Sequence, residues 1–222
     1  MKAVALIPAA GTGERFGGDV PKPLVKLNGK PVIAHTLAVF ERIADVTEII
    51  LIVHPGFLED YQALVKSNRF SKVRVVKGGA TRTQSVRNGL QAVTGPVDCV
   101  IIHDGVRPLV SEEMVRRGLQ LVVSENAVIA AVPVKPTLKV VEPKTNIVRE
   151  TLDRALVWEI QTPQIFERKL LERAYADDVE ATDDAALIER LGVPVKVFMG
   201  DYRNIKITTP EDLIVAEALM RK

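Results

Sequence analysis

Apolar residues in this chain come in short dense runs, separated by stretches in which they recur every three or four positions. Five runs rich in Val and Ile predict strands: Ala3–Pro8, Glu48–His54, Lys72–Lys77, Asp98–His103 and Ala127–Pro133. So many β-branched residues without polar alternation suit strands covered on both faces. The intervening stretches predict helices. Pro31 suits the first turn of one running to about Ala44, with Ile33, Leu37 and Phe40 on one face. Phe57–Lys66 and Thr81–Val93 follow, then Ser111–Ser124, with Ser111 as N-cap and Glu112 and Glu113 in the first turn. Strands alternating with helices predict an α/β fold, a mainly parallel sheet with helices on both faces.

The alternation breaks after residue 134. Leu138–Val141 and Ile147–Glu150 flank Pro143-Lys144-Thr145-Asn146, which predicts a polar hairpin projecting as a β-arm over about 135–157. A two-stranded ribbon rarely folds alone, so the arm is expected to pack on another subunit. Beyond it the pattern predicts a strand at Gln161–Phe166, a helix from about Arg168, and a helix capped by Thr182-Asp183-Asp184 that reaches Leu191. Strands at Pro194–Met199 and Asn204–Thr208 and a helix from Thr209 to Met220 complete the chain, read as one domain over residues 1–222.

Composition narrows the function. Thirty basic and 28 acidic residues leave a net charge of +2, too balanced for a protein that coats nucleic acid. Anion binding must therefore come from local placement. Cys99 is the only cysteine and lies in an apolar run, so it reads as a small buried hydrophobe, and a reducing compartment fits. Met1-Lys2 before AVALIPAA only faintly imitates a secretion signal, and no run reaches the length of a membrane span. The expectation is a cytoplasmic protein.

The first strand runs straight into IPAAGTGERFGGDVPKPLVK, which carries Gly11, Gly13, Gly17 and Gly18, with Arg15 inside the turn and Lys22 between two prolines. Backbone N–H groups in such a turn form an anion-binding concavity, and the two cations point to a polyphosphate. A dinucleotide-binding loop fits poorly. The third glycine of Gly11-Thr12-Gly13-Glu14-Arg15-Phe16-Gly17 falls one position late, and the second strand ends in His54-Pro55 rather than an acid. The P-loop string is absent. A nucleotidyltransferase loop remains.

Two further stretches follow strands. Gly78-Gly79-Ala80-Thr81-Arg82-Thr83-Gln84-Ser85 is either a tight strand-to-helix turn or a backbone surface for a base edge. In His103-Asp104-Gly105-Val106-Arg107-Pro108, Asp104 either holds Mg²⁺ and a ribose hydroxyl or pairs structurally with Arg107. His35, His54 and His103 lack metal-ligand spacing, the Asp177–Asp178 and Asp183–Asp184 pairs read as loop or cap residues, and no Ser-His-Asp arrangement is visible.

Taken in order, PAAGTGERFG with PKPL, GGATRTQSV, HDGVRP, LDRALVWEIQTPQIF, TDDAAL and NIKITTPEDL cover essentially the full chain. This ordered set resembles the 2-C-methyl-D-erythritol 4-phosphate cytidylyltransferases of the non-mevalonate isoprenoid pathway. The resemblance implies a Rossmann-like nucleotidyltransferase whose arm is exchanged in a homodimer, joining CTP to the alcohol phosphate with Mg²⁺ and releasing pyrophosphate. It implies that Arg15 and Lys22 stabilise charge at the α-phosphate, and that Pro8, Ala9, Ala10, Gly11 and Gly13 line the triphosphate. Gly79, Ala80 and Ser85 would face cytosine, and Asp104 would serve ribose and metal with Arg107 beside it. Thr137, Arg154 and Thr162 would hold the acceptor phosphate, Thr182 would touch the polyol, and Lys206 would position the incoming phosphate.

The sequence departs from the family pattern in small ways: Pro23 follows Lys22 where many relatives have Gln, Ala80 stands where an acid is common, and Arg203 stands where Asp is frequent. Enzymes for other polyol phosphates, such as ribitol 5-phosphate, share the CTP loops, so the acceptor rests on Thr137, Arg154, Thr162 and Thr182. A non-catalytic nucleotide-binding module would not need the cationic set of Arg15, Lys22 and Lys206.

Overall fold

A computed structural model describes residues 1–11, 20–177 and 179–221. Gly13, Arg15, Gly17 and Gly18 lie outside the described residues.

The strands are β1 (Ala3–Ala9), β2 (Lys26–Leu27), β3 (Lys30–Pro31), β4 (Val46–Val53), β5 (Val73–Lys77), β6 (Cys99–Ile102), β7 (Ala127–Pro133), β8 (Lys139–Val141), β9 (Val148–Thr151), β10 (Trp158–Glu167) and β11 (Lys196–Met199). The helices are α1 (Val32–Arg42), α2 (Leu58–Ser67), α3 (Arg82–Gln91), α4 (Glu112–Glu125), α5 (Arg168–Ala174), α6 (Asp184–Glu189) and α7 (Pro210–Met220). Seven strands form one sheet in the order β11-β7-β10-β6-β1-β4-β5. All its neighbours pair parallel except β10, which runs antiparallel to both β6 and β7. The mainly parallel α/β expectation therefore holds, with one strand reversed.

The period of two along each strand sorts its side chains between two cores. Ala5, Ile7, Ile49 and Leu51 face the layer of α1, α2 and α4, while Val4, Leu6, Ile50 and Ile52 face α3, α5 and α6. Both faces are covered, so the strands carry no polar alternation. Gly118 of α4 shows how close the layers come. A Cβ there would lie 2.6 Å from Ile165 Cδ1 and 3.0 Å from the Phe198 ring. Gly118→Val is expected to cost about 2–3 kcal/mol by overpacking. A lower urea midpoint at unchanged slope is the readout; an unmoved midpoint would refute the close-packing account.

Several expectations need correction. Asn204–Thr208 is not a strand. After β11 the chain turns away at Gly200 and Asp201, and Ile207 binds Val106 O through its N–H at 2.9 Å. Ile207 is drawn into a third small core with Leu27, Val32, Val106 and Ala216, so burial rather than sheet pairing holds the segment. The helix capped at Asp183 ends at Glu189, because Gly192 takes φ +71 and its N–H closes on Glu189 O. The hairpin of β2 and β3 was not anticipated, although Asn28 and Gly29, at φ +47 and +79, form the positive-φ pair of a tight hairpin turn.

β10 is longer than predicted, and its pairing with β7 shifts register between Ile160 and Gln164, around a cis Thr162–Pro163 bond. The predicted ribbon is present as β8 and β9, paired apart from the main sheet, with Val140, Val141, Ile147 and Val148 exposed. Among the described residues, no helix is long and apolar enough to cross a membrane.

Candidate active site

The chain passes from β5 on one flank of β1 to β6 on the other. In a parallel sheet that reversal opens a crevice beyond the strands' C-terminal ends. A cavity of about 560 Å³ occupies it. Its walls are Pro8, Ala9, Ala10 and Gly11 after β1, Lys22 and Pro23, Gly79, Ala80, Thr81, Arg82 and Ser85 around the start of α3, Asp104 and Val106 after β6, and Lys206. Of the described residues singled out in the sequence, ten meet here: Pro8, Ala9, Ala10, Gly11, Lys22, Gly79, Ala80, Ser85, Asp104 and Lys206.

Each wall has a local cause. Lys22 opens a one-turn 3₁₀ helix, Lys22–Leu24, entered from Pro21, and Pro23 within it is buried. The prolines restrict that backbone and so set where the ammonium starts. The paired glycines after β5 are a steric requirement. A Cβ on Gly78 would sit 2.6 Å from Ala10 Cβ, and one on Gly79 would sit 2.5 Å from Gln84 Cβ. The Ser85 hydroxyl accepts the Gly79 N–H at 3.1 Å and donates to Thr81 O at 2.8 Å, and Gln84 Oε1 accepts the Ala80 N–H at 3.0 Å. Thr81 caps α3 by accepting the Gln84 N–H.

The floor is electrostatic. Asp104 Oδ2 receives Lys206 Nζ at 3.0 Å and Arg107 Nε at 3.2 Å. Burial alone would raise the Asp104 pKa, but Lys206, Arg107 and Arg82 outweigh it and bring it down to about 2. Asp104 thus pairs with Arg107 and also lines the cavity. Arg107 stands behind it, buried, with Nη1 on Asn204 O at 2.8 Å.

Sequence reasoning missed four contributors. Arg82 lines the cavity, and its guanidinium grips the fully buried Asp184, which also accepts the Tyr175 hydroxyl. In sequence Asp184 reads as a loop or cap residue; in the fold Asp183 is the cap, accepting the Ala186 N–H. Asn204 reaches across with Nδ2 to Thr162 O at 2.8 Å. His103 is fully buried and bonded at both ring nitrogens. Burial holds its pKa down at about 4, so it is neutral at pH 7. The GGATRTQS and HDGVRP strings contain Arg82 and His103, but only the fold shows their partners.

Other expected residues lie off the cavity wall. Thr162 is buried behind Asp104, and its hydroxyl oxygen accepts the Asp104 N–H at 3.0 Å. Thr137 and Arg154 are exposed at the root of the ribbon, with Arg154 Nη1 on Lys135 O at 3.2 Å. Thr182 is exposed in a segment latched to the start of α3 by Thr81 on Glu180 at 2.6 Å.

Among the described residues the wall offers cations, backbone and one carboxylate, and no activated nucleophile. The Ser85 hydroxyl is spent within its turn, and His103 is sealed in. Such a site works by aligning and neutralising anions rather than by covalent catalysis.

The profile of one family, "IspD: 2-C-methyl-D-erythritol 4-phosphate cytidylyltransferase", matches residues 3–222. The chain is 44% identical over 227 residues to the protein of that name from Alkaliphilus metalliredigens (strain QYMF), covering 100% of this chain and 94% of that one. It is 45% identical to the Geotalea uraniireducens (strain Rf4) protein, over 100% and 97% of the two chains. Among solved structures, the 4-diphosphocytidyl-2C-methyl-D-erythritol synthase of Anaerococcus prevotii DSM 20548 superposes with a TM-score of 0.87 at 34% identity, over 100% of this chain and 96% of that one. Agreement of this extent, along the same ordered motifs that build the cavity, means that the chain belongs to the 2-C-methyl-D-erythritol 4-phosphate cytidylyltransferase family.

Proposed function

We propose that CTP and 2-C-methyl-D-erythritol 4-phosphate meet in the cavity beyond β1, β5 and β6, where a phosphate oxygen of the alcohol attacks the α-phosphorus of CTP. The new P–O bond forms as the bond to the β-phosphate oxygen breaks, giving 4-diphosphocytidyl-2-C-methyl-D-erythritol and pyrophosphate. The observation that carries this reading is a cavity whose described wall sets Lys22, Lys206 and Arg82 against one acid, Asp104. The attacking phosphate is already anionic at pH 7, so no general base is required. Lys22, with Arg15, neutralises charge developing around the α-phosphate, and Lys206 draws in the acceptor phosphate. Pro8, Ala9, Ala10, Gly11 and Gly13 follow the triphosphate; Gly79, Ala80 and Ser85 face the base; Asp104 and Arg107 lie under the ribose.

Mg²⁺ fits this donor set only in part. Among the described residues no group of three His, Cys, Asp or Glu side chains could hold a metal, and Asp104 stands as a single carboxylate. Mg²⁺ commonly binds in this way, with one carboxylate beside substrate phosphates and waters. Bound there, it would supply further neutralisation of phosphate charge.

The acceptor's other contacts are assigned to Thr137, Arg154, Thr162 and Thr182, with Arg154 entering the neighbouring subunit's site in a homodimer. The exposed Val140, Val141, Ile147 and Val148 of the ribbon and the position of Arg154 off the cavity wall support that assignment. The test is complementation. Lys22→Ala and Arg154→Ala chains are each expected to be nearly inactive alone. Co-expressed in equal amounts, half of the dimers are mixed and carry one intact site of two, so activity returns to about a quarter of wild type. No recovery in verified mixed dimers would place Arg154 in its own subunit's site.

A further inference from the structure

The polar groups under Asp104 form a chain whose direction follows from the Arg107 carbonyl. His103 Nε2 lies 3.2 Å from Arg107 O, and a carbonyl can only accept, so Nε2 carries the proton. The ring is fully buried and neither of its nitrogens meets a carboxylate, so it stays the uncharged imidazole. Its Nδ1 is therefore an acceptor, and the group facing it at 3.0 Å is the Thr162 hydroxyl, which must donate. With its proton given to His103, Thr162 Oγ1 turns a lone pair to the Asp104 N–H at 3.0 Å. A second path returns to the carboxylate: Asn204 Nδ2 donates to Thr162 O, Arg107 Nη1 to Asn204 O, and Arg107 Nε to Asp104 Oδ2. Asp104 is held at both its backbone and its carboxylate by one closed network.

We infer that His103 is a positioning residue for the transfer reaction: in its Nε2–H tautomer it takes the Thr162 hydroxyl proton, which turns Thr162 Oγ1 to the Asp104 N–H and fixes Asp104 at the cavity floor. The neutral ring's two nitrogens make the device directional, which a second hydroxyl in its place would not be. The inference rests on the reading of Asp104 as a working group of the site.

Two measurements on the full-length enzyme test it. In ¹⁵N-histidine NMR at pH 7.5, His103 is expected as the neutral Nε2–H tautomer, and Thr162→Val should shift the Nδ1 resonance toward that of an unbonded nitrogen. In steady-state kinetics, Thr162→Val and His103→Gln, which keeps a donor near Arg107 O but no acceptor at Nδ1, should each lower kcat by about 10- to 100-fold with the CTP KM within twofold. The double variant should be no slower than the slower single one. His103→Asn, with an acceptor near the Nδ1 position, should recover part of the loss. An Nδ1–H tautomer, additive losses, or wild-type kcat in Thr162→Val would each overturn the inference. Asp104→Asn separates the two readings: if it also keeps full kcat, the role given to Asp104 fails, and if it alone is slow, only the positioning inference fails. Should His103→Gln not fold, the tautomer and Thr162→Val decide the matter.

Discussion

Lys22→Ala is expected to lower kcat by about 10²–10³-fold, the usual cost of removing one preorganised group that meets charge as it develops. The argument starts from the backbone. Pro21 and Pro23 confine the turn that carries Lys22, and Lys22 lines the cavity. An ammonium held there gains little from the ground state of a triphosphate that many N–H groups also bind. It gains more as negative charge builds on the departing pyrophosphate, so the loss should fall mainly on kcat and less on the CTP KM. Lys22→Arg should restore only part of the rate, because a planar guanidinium needs a different approach from a point-like ammonium. Pyrophosphate release under saturating substrates measures this. A variant within threefold of wild type would remove Lys22 from the reaction.

Removing Asp104 should have the second large effect, and it should act on folding and on turnover together. Asp104→Ala leaves the buried Arg107 guanidinium without its carboxylate and takes away the counter-charge of Lys206. Breaking a buried pair from one side costs about 3–5 kcal/mol, because the remaining charge stays desolvated. Asp104→Asn keeps the shape, so its folding loss should be smaller, while kcat should still fall by about 10²-fold if the carboxylate serves the reacting groups. The split between the two variants is informative. Denaturant midpoints should rank wild type above Asn above Ala, and turnover should be low in both. A destabilised but fully active Ala variant would reduce Asp104 to a structural partner of Arg107.

The motifs made much of the cavity legible. Glycine pairs, prolines beside a lysine and an Asp at a strand end are local statements about backbone freedom and charge. Local statements survive folding when the strand ends are brought together, as Gly79, Ser85, Lys22 and Asp104 show. Thr162 was less legible. Its number in the chain places it on a strand, but whether its hydroxyl faces a ligand depends on the register shift in β10 and on His103 opposite it. Arg82 was invisible for a similar reason. Its partner Asp184 lies far along the chain, and in sequence that acid looks like any residue at a helix start.

The sequence by itself determined the alternation of strands and helices, the two-faced burial of the sheet and the projecting ribbon. These follow from side-chain periodicity, glycine and proline conformations and local charge, all of which act over a few residues. Only the tertiary structure decided that β10 runs antiparallel between β6 and β7, that Asn204–Thr208 is held by burial instead of pairing, and that Asp104 sits inside a closed network of His103, Thr162, Asn204 and Arg107. Those outcomes depend on which buried polar groups find partners across distant segments. Desolvation makes each unpaired group costly, so the folded whole settles the pairing, and no single stretch of chain contains that information.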